Sequence, residues 1–216
     1  MKSGVIIILT VIFCNAIDAQ RVKDLYNITQ QSEFRENNIY IVCRGTKSKS
    51  SLIAHRFNIA DTNITHAGIG FYKNGKILLY NVTDIYDHSK SALVVDSLES
   101  FVVSSDVYYL SIWECNSSPL QIKKLENICH SYGTRKIFFD ASFRINDDDS
   151  LYCSEFCALV LEKLDPVKFN FKPLVIDLNN RLYEKILERK KLSYYPVDFF
   201  QQNSSFRKIF SYRFSG

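Results

Sequence analysis

The chain has 216 residues, 46% of them apolar, with 16 Phe and 13 Tyr; it can bury a sizeable core, which excludes disorder as its bulk state. Its net charge is +4, with lysines and arginines scattered among acidic residues. The one basic run, ERKK at 188–191, reads as the solvated face of a helix, so no nucleic-acid partner is expected.

From the amino terminus, MKSG, the apolar run VIIILTVIFC and then NAIDAQ follow the order of a secretory signal peptide. The run is shorter than the roughly 20 apolar residues a membrane span needs. Residues 1–19 are expected to be removed after Ala19, with Ala16 as the alternative. That leaves residues 20–216 as one domain without a transmembrane span, secreted or in the lumen of the secretory pathway. Five N-x-S/T sites, at Asn27, Asn63, Asn81, Asn116 and Asn203, are candidate glycan acceptors.

Along the chain, RVKDLYNITQQSEFRENN reads as a short helix or loop and IYIVCRG as a strand of β-formers closed by glycine. KSKSSLIAHRFNIADTN is polar and reads as a loop with a helical turn. ITHAGIGFYKNGKILLYNV places two apolar runs around Lys-Asn-Gly-Lys, the strongest hairpin signal in the chain, because Asn-Gly adopts the positive φ angles of a tight turn. A helix is expected across SLESFVVS, a strand at VYYLSIWEC, and a helix over SPLQIKKLENICHSYG, opened by proline and ended by Gly133. TRKIFFDASFRINDDDS reads as an aromatic segment running into an acidic loop, and SEFCALVLEKLD as a helix stopped by Pro166. DLNNRLYEKILERKKL is expected to be helical, and YYPVDFFQQNSSFRKIFSYRF a proline-marked loop leading to a last strand.

Outside the leader there are five cysteines: Cys43, Cys115, Cys129, Cys153 and Cys157. In an oxidising compartment an odd number leaves one thiol free or bonded between molecules. With Cys153 free, Cys115 with Cys129 closes the shortest loop and is the favoured pair; the alternative is that several of the five are ordinary buried thiols. No metal site is expected, since there is no C-x₂-C and the histidines are not spaced as metal pairs; Cys153 and Cys157, one helical turn apart, could at most co-ligate one metal ion.

Cys153 stands in the first turn of its expected helix, where free N–H groups favour a thiolate. It could pack, pair or react. A reacting cysteine needs a base, and the base an orienting group. His66 in THAGIG is the best placed histidine, although a histidine in a tightly packed strand often only satisfies a local carbonyl. Asn81 or Tyr80, on opposite faces of the returning strand, could reach it; Asn81 could instead carry a glycan, and the two roles exclude each other.

ENNIYIVCRG, ITHAGIGFYKNGKILLYNV and FDASFRINDDDSLYCSEFCALVL, with the tail YYPVDFFQQNSSFRKIF, resemble in that order the opening strand, histidine hairpin, cysteine helix and carboxyl end of the permuted papain-like hydrolases, the YiiX-like amidase branch of the NlpC/P60 superfamily. The resemblance covers about residues 35–212, and YCSEF after Phe-Asp and an acidic loop is its most specific part. It departs at NN before IYIV, where relatives usually have Gly-Asp.

The resemblance implies an α+β fold: a circularly permuted papain-like core with an antiparallel sheet packed against the cysteine helix. It implies Cys153 as nucleophile, His66 as base and Asn81 as orienting residue, with Glu155 and Tyr80 in support, and no cofactor. The expected function is a secreted cysteine hydrolase, cleaving an amide in a peptide, cell-wall peptide or lipid amide through an acyl-enzyme. The alternatives are an acyltransferase on the same core and a secreted, non-catalytic binding glycoprotein. Neither substrate nor oligomeric state follows from the resemblance.

Overall fold

A computed structural model describes residues 23, 24, 27, 34–47, 51–85, 87, 89–145 and 149–214. The expected leader at 1–19, His88 and residues 146–148 of the acidic loop lie outside the described residues.

In chain order the elements are β1 (Asn38–Thr46), α1 (Ser51–Phe57), β2 (His66–Lys73), β3 (Lys76–Val82), β4 (Leu93–Ser97), α2 (Leu98–Val102), β5 (Val107–Asn116) and α3 (Pro119–Gly133). They continue with β6 (Phe138–Phe139), β7 (Ser150–Leu151), α4 (Cys153–Leu164), β8 (Leu174–Asp177), α5 (Arg181–Leu187), β9 (Lys191–Tyr194), a 3₁₀ turn (Phe199–Gln202) and β10 (Phe206–Arg213). Six strands form an antiparallel sheet in the order β10-β5-β1-β2-β3-β4. The β6–β7 pair is parallel and the β8–β9 pair antiparallel. This is the permuted papain-like architecture the resemblance implied.

The two-residue period of β1 divides the core between the sheet's faces. Ile39, Ile41 and Cys43 join Ala67, Ile69 and Phe71 of β2 beneath α3 and α4, where Leu125, Cys129, Phe156, Cys157, Val160 and Leu161 are buried. Tyr40 and Val42 turn to the other face, against Leu79, Leu98, Phe101, Val102, Leu110 and Ile112. Helix α4 is buried along most of its surface, as its near-continuous apolar sequence requires.

The Asn-Gly hairpin forms as read, with φ of 52° at Asn74 and 79° at Gly75, the values of a two-residue turn whose twist matches its strands. Ser118 caps α3 in a reciprocal box with Gln121, ahead of proline at the first turn. The helix expected over 177–192 is shorter: Asn180 caps α5 through its side chain, and left-handed Glu188, φ 52°, ends it. The chain then extends as β9 against β8.

All five described cysteines are free, which corrects the expected Cys115–Cys129 bridge. Cys115 lies on a strand and points into the core, with its thiol donating to the Asn116 carbonyl. Cys129 is enclosed in α3, and each behaves as a small apolar core residue.

Candidate functional site

Strands β1, β2 and β3 end together at one edge of the sheet, where Thr46, His66 and Thr83 line a cavity of about 450 Å³ with Cys153 at the head of α4. Arg44 and His66 are direct cross-strand partners. They share the sheet face of Tyr40, Val42 and Phe101: the Arg44 guanidinium stands 4.6 Å from the Phe101 ring centroid and the His66 ring 5.5 Å from it.

Asn81 is the residue that meets His66. Its Oδ1 lies 3.0 Å from His66 Nε2, while its Nδ2 donates to Asp96 Oδ2 at 2.9 Å. The room for this contact comes from Gly68: a Cβ there would stand 3.3 Å from Asn81 Cβ. Asn81 is 1% exposed, so this sequon cannot carry a glycan in the folded chain. Among the other sequons, Asn27 and Asn116 are exposed. Asn63 Nδ2 and Asn203 Nδ2 donate to Asp61 and to the Lys168 carbonyl. Tyr80 points to the opposite face, with its ring 6.3 Å from that of Phe71. Glu155 is buried in the first turn of α4 and does not line the cavity.

Cys153 is set by the residues on either side of it. Tyr152 Oη accepts the Tyr195 N–H at 2.7 Å, and Ser154 Oγ donates to the Tyr195 carbonyl at 2.7 Å, so the start of α4 is clasped to the carboxyl-terminal segment. That segment is fixed in turn by Asp198, whose carboxylate accepts the N–H groups of Ile59, Ala60 and Asp61, and by Asn58, which accepts from Val197 N–H. The sequence carried no signal for Arg44, Asp96 or Asp198; each acts through partners remote along the chain.

The electrostatics hold both groups neutral. Burial pushes the Cys153 thiol above its ordinary pKa, opposed by the backbone N–H groups of Ala67 and Ser154 and by the charge of Arg44. Burial and then the neighbouring Arg44 charge lower His66 to about 3, against the Asn81 hydrogen bond. Backbone groups of Ala67 and Ser154 hydrogen-bond to the sulfur.

A solved structure, the metalloprotein YiiX from Escherichia coli O157:H7, superposes with a TM-score of 0.63 at 15% identity, covering 83% of this chain and 99% of that one. The chain has the YiiX fold. No protein-family model and no curated protein matches the sequence. YiiX is described as a metalloprotein, and this overturns the expected thiol-protease chemistry, the amide-cleaving function and the enzyme class that rested on the likeness. The local physics agrees, since the first turn of α4 is too enclosed to favour a thiolate. Among the described residues no helix is long and apolar enough to cross a membrane.

Proposed function

We propose that this chain binds a small amphipathic molecule in the cavity at the sheet edge. The observation that carries the reading is the mixed chemistry of the lining. Phe57, Phe139, Phe143, Leu192, Tyr194 and Val197 supply apolar surface, and Arg44, Thr46, Thr65 and His66 supply polar groups. A volume of about 450 Å³ falls within the range of small-molecule sites, which are mostly apolar with a few placed polar groups.

The wall is built to keep its shape. Tyr194 Oη donates to the Phe57 carbonyl, and the Asp198 and Tyr152 bonds tie the same segments together, so an incoming ligand meets a surface already ordered. A resident metal, which the word metalloprotein would suggest, does not fit the donors here. Among the described residues no three of His, Cys, Asp or Glu gather as ligands; His66 Nε2 is engaged by Asn81, and the Arg44 charge beside it opposes a cation.

The test is titration with the uncharged fluorescent probe N-phenyl-1-naphthylamine, in the full chain and in Ala54→Trp, which fills the cavity from α1. One saturable site, lost in the variant while its circular dichroism is unchanged, supports the reading. Binding that does not saturate, or that survives Ala54→Trp, refutes it.

A further inference from the structure

We infer that the cavity selects a monocarboxylate, an apolar chain ending in one carboxyl group, with Arg44 as the residue that recognises the head; this rests on the amphipathic-ligand reading above. Arg44 lines the cavity and is under-compensated where it sits. Its Nη1 donates to the Phe101 carbonyl, its plane rests on the Phe101 ring, and its Nε is enclosed with no acceptor among the described residues. No described carboxylate forms an ion pair with it.

The carboxylates that feel its charge are committed elsewhere. Asp96 accepts from Asn81 and Ser100, and Asp106 accepts from the Ser104 hydroxyl. A partly buried cation with one carbonyl acceptor is costly unless an anion completes it, and a planar carboxylate matches the guanidinium fork. His66, held neutral beside Arg44, adds no second positive charge. Asp84 and Asp106 also line the cavity, Asp84 on the exposed side. The two carboxylates repel a phosphate dianion more than a monoanion, so the head that Arg44 accepts is singly charged. The apolar lining takes the chain.

Isothermal titration of the full chain with dodecanoate and dodecyltrimethylammonium below their critical micelle concentrations, and with dodecanol below its solubility limit, separates the possibilities. Dodecanoate is expected to bind about tenfold or more tighter than dodecanol, as a charge-assisted hydrogen bond in a part-desolvated site implies. Arg44→Met should abolish that preference, and Arg44→Lys should keep part of it. Equal affinity for dodecanoate and dodecanol, or a preference for the ammonium, overturns the carboxylate inference but leaves the amphipathic site standing. Binding of none of the three removes both. The comparison of probes on the unaltered chain decides even if Arg44→Met does not fold.

Discussion

Asn81 donates through Nδ2 to Asp96 and accepts through Oδ1 from His66 Nε2. A carboxylate can only accept, so Asp96 fixes which way the amide of Asn81 faces. The amide oxygen then requires the proton of His66 to sit on Nε2, leaving Nδ1 as the lone-pair nitrogen. A residue that never touches the imidazole thus sets its tautomer. Asp96→Ala should destabilise the chain by about 1–3 kcal/mol, the cost of an amide donor left without its acceptor. The ¹⁵N shifts of His66 should change from one protonated Nε2 to an average of both forms. An unchanged tautomer in that variant would show that the amide is held by something else.

The neutral state of His66 has a consequence for stability. Its folded pKa of about 3 lies below the ordinary 6.5, so between these values the unfolded chain takes up a proton that the folded chain refuses. The stabilisation is fully present above pH 6.5 and declines as pH falls, by about 1.4 kcal/mol per pH unit within the window. Urea denaturation at pH 7.0, 5.5 and 4.5 should therefore show a steeper loss in the native sequence than in His66→Gln. Parallel declines in the two proteins would rule out the buried neutral imidazole.

Cys153 should rest as the thiol and react only through the thiolate that forms as pH rises. Its pKa is raised by burial more than its N–H partners lower it, so the rate of iodoacetamide labelling, followed by intact mass, is expected to keep climbing through pH 9. A plateau below pH 8 would mean a thiolate at neutral pH and would return the cysteine to the role that the metalloprotein likeness removed.

Gly68 and Gly70 make a paired test of the histidine strand. A Cβ at Gly70 would stand 1.8 Å from the Leu78 carbonyl oxygen, whereas at Gly68 its nearest neighbour is Asn81 Cβ at 3.3 Å. Gly70→Ala presses on backbone and should cost about 3 kcal/mol or more. Gly68→Ala presses on a side chain, and should cost about 1 kcal/mol while moving Asn81 away from His66. Thermal unfolding ranks the two variants, and the His66 ¹⁵N shifts report the second effect. Equal losses would mean that β2 and β3 can part more easily than their register implies.

Local rules made much of the fold legible in the sequence. The Asn-Gly turn, the alternation of IYIVC, the proline-opened helix closing at Gly133 and the apolar helix that Cys153 begins are each set by residues within a few positions, and each stands where it was read. The hairpin narrowed the neighbour of His66 only to Asn81 or Tyr80; the folded chain brings Asn81 to it diagonally, past Gly68. The sequence could not decide the charge environment. Arg44 is opposite His66 only because β1 and β2 pair in one register, Asp96 reaches Asn81 only because β4 adds to the sheet, and Asp198 holds residues 59–61 from 137–139 positions away. Whether a cysteine at a helix start is a thiolate, and whether a histidine carries charge, depends on how much water and which ions surround them. Those are sums over the packed molecule, and tertiary structure turned Cys153 and His66 from a reacting pair into enclosed, neutral groups.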